Sequence, residues 1–174
     1  CGNAVSGTQT ISVEDVTPPV VVWMPEDVTI ACDDALPIDL PTITDACSED
    51  LTWTSEDAIT DIVCEGSYTI IRTYTVADAC GNEVEAVRTI AVQDLNAPEW
   101  TSWPADTTVV CEAPLPTEAP EAMDACGAVS IALEEATEAG DCDGAYTLIR
   151  TYTATDDCGN AVSGTQTISV EDVT

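Results

Sequence analysis

Cysteines recur in strict register along this chain, and that recurrence narrows what it can fold into. Cys32, Cys47, Cys64 and Cys80 fall opposite Cys111, Cys126, Cys142 and Cys158 when the sequence is laid over itself at an offset of 79, then 78, residues. Cys1, Cys80 and Cys158 each open a Cys-Gly-Asn tripeptide at the same spacings. Pro19, Pro25, Pro37 and Pro41 match Pro98, Pro104, Pro116 and Pro120. A longer period is exact: residues 1–17 and 158–174 both read CGNAVSGTQTISVEDVT, an offset of 158 − 1 = 157. A fixed period makes the repeat the unit to explain. Residues 1–15 read as the C-terminal end of a preceding repeat, 16–94 as repeat 1 and 95–174 as repeat 2. Exact identity over the long period beside drift over the short one is the pattern of a segment within a longer tandem array. A domain of about 78 residues has a marginal core by itself.

Within a repeat the patterning is that of strands. Tyr68, Ile70, Arg72, Tyr74 and Val76 share one face of an extended segment, and Thr69, Ile71, Thr73 and Thr75 share the other. Ile149-Arg150-Thr151-Tyr152-Thr153 repeats the pattern, and Val28–Ala31, Thr89–Val92, Thr107–Val110 and Thr167–Val170 also read as strands. Prolines and Asp/Gly clusters punctuate these runs. Leu133–Ala139 contains good helix formers, but Gly140 cuts it short. The fold class is therefore all-β: tandem disulfide-stapled sandwiches, arranged end to end.

Charge excludes whole classes of partner. The chain has 33 Asp and Glu against 3 Arg, no Lys and no His, for a net charge of −30. Nucleic acid and anionic membrane surfaces both call for clustered cations and are excluded as direct partners. Self-repulsion of this size is relieved by salt or multivalent cations. With no histidine, no nucleophile beside a base and no glycine-rich phosphate loop, nothing supports catalysis. The chain reads as no enzyme.

Nine cysteines in register indicate an oxidising compartment. Zinc is disfavoured, because the spacings of 15, 17 and 16 residues lack the close ligand pairs of structural zinc sites. If strands alternate up and down, Cys32 and Cys64 lie at one pole of the sandwich and Cys47 and Cys80 at the other. The expected bridges are Cys32–Cys64, Cys47–Cys80, Cys111–Cys142 and Cys126–Cys158, each closing a loop of about 30 residues and stabilising by roughly 3 to 4 kcal/mol. Cys1 is expected to be unpaired in this segment.

The motifs, in order, are an acidic-Pro junction (Val13-Glu-Asp-Val-Thr-Pro-Pro; Val92-Gln-Asp-Leu-Asn-Ala-Pro), a strand entry at Pro25-Glu-Asp or Pro104-Ala-Asp, an Asp-Ala-Cys turn, and Arg-Thr-Tyr-Thr-x-x-Asp-x-Cys-Gly-Asn. Together these resemble the hyalin (HYR) repeat, an immunoglobulin-like module, in the cysteine-rich version found in large Bacteroidota surface proteins and adhesins. The resemblance covers both repeats. It departs from the animal pattern: Met24-Pro25 and Trp103-Pro104 stand where Cys-Pro is usual, so the family disulfide is not carried over. What the resemblance implies is export to the cell surface, a structural or adhesive role and no catalytic residues.

Glu14, Asp15, Asp94, Glu171 and Asp172 form the best candidate ligand set for Ca2+ at domain junctions, since calcium takes six to eight oxygen ligands. Asp141 and Asp143, flanking Cys142, are a second candidate. No stretch matches an EF-hand, and no cofactor is required. Arg72 and Arg150 are expected to lie along the sheet and pair with carboxylates. Trp23, Trp53, Trp100 and Trp103 are expected as core or interface filler in a chain without Phe. The expected role is a semi-rigid stalk or filament body whose partners are neighbouring repeats. Two alternatives are a multivalent adhesive surface and a multi-chain fibre, in which Thr10-Ile-Ser-Val would complete a neighbour's sheet.

Overall fold

The computed structural model describes residues 1–141 and 144–173. Those residues form strands and turns and no helix. Repeat 1 carries β1 (Val20–Trp23), β2 (Val28–Ala31), β3 (Thr42–Thr44), β4 (Thr52–Cys64), β5 (Ser67–Ala77) and β6 (Glu83–Gln93). Repeat 2 carries β7 (Glu99–Ser102), β8 (Thr107–Val110), β9 (Glu121–Met123), β10 (Val129–Ala139), β11 (Tyr146–Asp156) and β12 (Ala161–Glu171). Each repeat has a two-stranded sheet (β1-β3; β7-β9) and a four-stranded sheet (β2-β6-β5-β4; β10-β11-β12-β8). The fold is all-β, with sandwich-like domains, as the alternating sequence pattern requires. In each large sheet a short strand runs parallel to the last long one, Val28↔Ile90 and Thr107↔Ile168. Such a pair cannot be closed by a hairpin, so intervening segments must separate β2 from β6 and β8 from β12.

The chain divides into two compact units. The first comprises Cys1–Asp27, Ile38–Ala58 and Ile71–Thr89; the second comprises Val28–Pro37, Ile59–Ile70 and Ile90–Thr174. In the first unit Ile43, Tyr74 and Val76 are buried, and the Tyr74 hydroxyl donates to the Asp39 carbonyl at 3.0 Å. Arg72 lies along the sheet and grips Asp57 through two nitrogens, at 2.7 and 2.8 Å. That contact holds the Asp57 carboxyl below its ordinary range. In the second unit one apolar cluster gathers Ile70, Ile90 and Val92 with Val28, Ile30 and Tyr68. Another gathers Leu148, Ile168 and Val170 with Val109, Leu115 and Tyr146. Arg150 donates to Glu135 at 2.8 Å and to the Pro116 carbonyl at 2.7 Å, so both arginines are paired as expected.

Three local outcomes sharpen the sequence reading. Leu133–Ala139, despite its helix formers, is the second half of β10, paired residue by residue with β11 from Val129↔Asp156 to Ala139↔Tyr146. Ladder pairing overrides intrinsic propensity there. Thr10–Val13 matches β6 and β12 in sequence yet forms no strand, and Ile11 and Val13 are exposed. The tryptophans are not core filler: Trp23, Trp53 and Trp103 are exposed. Trp103 instead packs edge-on to Trp100 and Tyr152, at centroid distances of 4.9 and 5.8 Å. Its ring lies where a Cβ on Gly164 would stand, so it covers bare backbone of β12.

Candidate functional site

The most specific motif, Asp-x-Cys-Gly-Asn, is the turn between the last two strands of each repeat. In repeat 1 Asp78 Oδ1 accepts the backbone N–H groups of Cys80 and Asn82, at 2.8 and 2.9 Å. Asn82 Nδ2 donates to Asp78 Oδ2 at 2.8 Å, and Asp78 N–H donates to the Asn82 carbonyl at 3.0 Å. Gly81 adopts φ 87° and Gly159 φ 91°, in the left-handed region that favours glycine. The asparagine also reaches beyond the turn. Asn82 Nδ2 donates to the Asp15 carbonyl and Asn160 Nδ2 to the Asp94 carbonyl, both at 3.3 Å. One side chain thus ties the turn to the residue just before its own repeat begins.

A second motif, Asp-x-Cys, places one further cysteine in each repeat. Asp45 Oδ1 accepts the Cys47 N–H and Asp124 Oδ1 the Cys126 N–H, each at 2.8 Å. Short aspartates make such Asx turns because the carboxylate reaches the backbone two residues on.

The fixed cysteines do not pair within their repeats. Cys32 is bridged to Cys126 and Cys64 to Cys158, both at a sequence separation of 94, with Cα–Cα distances of 5.9 and 5.1 Å. The expected Cys32–Cys64 and Cys126–Cys158 bridges are therefore corrected. Cys47 and Cys80 are free and exposed, so Cys47–Cys80 is not formed either. Cys111 is free as well; Cys142, its expected partner, lies outside the described residues. Cys1 is free, as expected. The pole argument assumed that cysteines at one pole seek each other. Here they bond to the repeat that follows.

Both bridges lie within the second unit, which includes Val28–Pro37 and Ile59–Ile70 from repeat 1 and all of repeat 2. Contacts around them are close. A Cβ at Gly66 would stand 2.8 Å from Asp94 Cβ and 2.9 Å from Cys126 Cβ, closer than real atoms allow. The Glu65 N–H donates to Asp157 Oδ2 at 2.8 Å. The Asp94 N–H donates to Ser67 Oγ at 2.9 Å. Carboxylate and sulfur atoms of Asp94, Cys32 and Cys126 lie within 4.8 Å of one another, as do those of Asp94, Asp156 and Cys158.

Asp94 is thus the buried centre of the junction, at 3% exposure, and its Oδ2 has no hydrogen-bond partner. Desolvation raises its carboxyl above the ordinary range, and Asp124, Asp156 and Asp157 add repulsion. At Asp156 desolvation works upward too, but hydrogen bonds from Asn160, Gly159 and Cys158 outweigh it and hold the carboxyl low. Asp78 is held low chiefly by Asn82. These groups oppose one another in pH dependence. Asp78 and Asp156 contribute stability above the unfolded pKa of about 3.8 that is lost as pH falls below it. Asp94 has the opposite sign: its contribution is fully present below the unfolded pKa of about 3.8 and is lost as pH rises through its raised folded value. Asp94→Asn is expected to stabilise the chain by about 1 kcal/mol at pH 7 without divalent cations, and to leave pH 3 stability unchanged. Urea unfolding at both pH values measures this; equal destabilisation at both would mean that the Asp94 charge is no cost to the fold.

Of the expected calcium ligands, Asp94 stands with Asp124, Asp156 and Asp157, and Asp15 stands with Asp45 and Cys47 in the first unit. Asp15 Oδ2, like Asp94 Oδ2, is buried without a hydrogen-bond partner. Glu14 and Glu171 are exposed, and Asp172 is half-buried. Asp141 is exposed, and Asp143 lies outside the described residues. The sequence reading placed Asp45, Asp78, Asp124 and Asp156 in turn motifs, each two residues before a cysteine, but did not count them among the candidate ligands. Cys47 feels the same charge. The Asp15 carboxylate, with desolvation and Asp45 behind it, pushes its thiol up, which slows its alkylation at neutral pH.

The family described as "HYR-like domain with 4 cysteines" matches residues 20–92 and 101–170. No curated protein matches the sequence. Among solved structures, similarity extends to Drosophila N-cadherin EC1-4, at 14% identity over 90% of this chain and 50% of that one, with a TM-score of 0.44. Human Protocadherin-24 EC1-2 matches at 17% identity over 91% of this chain and 100% of that one, with a TM-score of 0.40. This chain thus spans half the length of the N-cadherin fragment. Likenesses of that strength carry no argument about binding.

Proposed function

Since the chain belongs to the family of HYR-like domains with four cysteines, we propose that it is a non-enzymatic structural segment of a long extracellular protein, a semi-rigid stalk or filament body that supports adhesion. One observation carries this reading: the pair of bridges, Cys32–Cys126 and Cys64–Cys158, that joins one repeat to the next. A single covalent link leaves a joint free to turn about it. Two links, with Asp94 and Gly66 packed between them, restrict bending and twisting together. Disulfides of this kind persist outside the reducing cytosol, and a charge of −30 keeps such rods apart at low salt.

Calcium is proposed as a second stiffener. Asp94 Oδ2 and Asp15 Oδ2 are buried acceptors without hydrogen-bond partners, each among further carboxylates, and a hard cation would neutralise them. The sulfurs beside Asp94 are bridged, and the Cys47 thiol beside Asp15 is pushed up, so neither supplies a thiolate and oxygen donors would hold the ion.

Electron microscopy of the native array, oxidised, reduced and chelated, tests the reading. Straight rods that become flexible on reduction are the expected result. Oxidised arrays that bend as freely as reduced ones would rule the stalk out. Chelation that leaves rods and melting temperature unchanged would remove calcium from the account. A second reading, a multivalent adhesive surface, is favoured by the exposure of Trp23, Trp53 and Trp103. It requires binding that strengthens with repeat number.

A further inference from the structure

Cys47 and Cys80 are exposed thiols in the first unit, and their sequence equivalents in the second unit, Cys126 and Cys158, are both bridged. The difference is not one of local structure. Around Cys47 and Cys80 the first unit already has the geometry found around the bridged pair. The Asp45 carboxylate holds the Cys47 N–H as Asp124 holds that of Cys126. Asn82 reaches the Asp15 carbonyl as Asn160 reaches that of Asp94. Carboxylate oxygens of Asp15 and Asp45 lie within 4.8 Å of each other and of Cys47 Sγ, as Asp94 lies beside Cys126. Asp15 Oδ2 is left without a hydrogen-bond partner, just as Asp94 Oδ2 is. What the first unit lacks is the segment that supplies Cys32 and Cys64 to the second.

We propose that Cys47 and Cys80 are a covalent docking site for another copy of this repeat, the one that precedes repeat 1, and that Cys111 reaches forward in the same way to the repeat that follows. The identity of the occupant comes from the sequence itself. Residues 1–17 are identical to 158–174, so the repeat before repeat 1 ends as repeat 2 ends. Repeat 2 carries Cys111 at the position of Cys32. Among the described residues every cysteine then has a partner one repeat away and none within its own repeat. Each closure converts two thiols into one disulfide, giving up two electrons and two protons. A disulfide of a small-molecule or protein dithiol–disulfide carrier accepts them and leaves as two thiols.

This inference rests on the stapled-junction reading, and the test separates the two. The 174-residue chain is compared with a doubled chain in which residues 1–157 precede residues 1–174, a fusion that keeps the natural period. Both are oxidised with a glutathione disulfide couple, alkylated, digested with pepsin at acid pH and mapped by mass spectrometry without reduction. In the single chain Cys32–Cys126 and Cys64–Cys158 should be bridged while Cys47, Cys80 and Cys111 are alkylated. In the doubled chain the internal Cys111 should be linked to the second copy's Cys47, with alkylation there falling at least tenfold. Cys111→Ser in the first copy should restore that alkylation in full. A Cys47–Cys80 link within one repeat, or full alkylation of the internal Cys47 with the two native bridges intact, would overturn the docking site and leave the stapled junction standing. Absence of the native bridges from both chains would overturn the junction and the docking site together.

Discussion

Full reduction is expected to destabilise the second unit by roughly 4 to 5 kcal/mol for the first bridge lost, because a crosslink spanning a separation of 94 residues removes much of the unfolded chain's freedom. A melting temperature lower by more than about 10 °C should follow. Loss of the second bridge costs less than two independent crosslinks would, since the first has already brought its cysteines close. Calorimetry of the oxidised chain, the reduced chain, and Cys32→Ser and Cys64→Ser variants measures the steps. If full reduction costs under about 1 kcal/mol, packing holds the junction and the bridges are incidental.

Tyr74→Ala should be the costliest single core change in the first unit, at about 3 to 5 kcal/mol. Tyr74 is 2% exposed, is buried like Ile43 and Val76 in the same unit, and anchors the Asp39 carbonyl through its hydroxyl. Tyr74→Phe keeps the ring and loses only that hydrogen bond, for about 1 kcal/mol. Urea unfolding monitored by circular dichroism separates the two. Equal costs for both variants would place the stability in the hydrogen bond and not in the ring.

β5, β6, β11 and β12 were readable from the sequence because each sets a more buried face against a less buried one, whereas β4 and β10 are exposed almost throughout and carry no such alternation. Ile70, Tyr74 and Val76 were expected on one face of a strand, and all three are buried there. The arginines were readable for a similar reason: three cations among 33 acids will find carboxylates. The disulfide pairing was not readable. Periodicity places cysteines on strands and turns of their own repeat, but it is blind to contacts one period away. Cys32 sees Cys126 and Cys47 as the same residue until coordinates break the degeneracy. The aspartates of the junction had a signal, the Asp-x-Cys spacing shared by both repeats, which reads first as turn chemistry. The tryptophans misled because burial was inferred from size, whereas Trp103 is used to shield a glycine.

The two bridges also decide how the molecule yields to a pull. Consider tension applied between residue 32 and residue 158. Without crosslinks the load would unravel all of the intervening backbone, up to roughly 430 Å at about 3.4 Å per residue. With them the load divides between two covalent routes. One crosses at Cys32–Cys126 and then runs through 158 − 126 = 32 residues; the other runs through 64 − 32 = 32 residues and crosses at Cys64–Cys158. Neither route extends beyond about 110 Å. The first route runs through β10 and β11 and the second through β3 and β4, while β8 and β12 hang beside the stressed path. Sulfur thus sets how far the loaded strands can be drawn out before the covalent chain itself carries the pull.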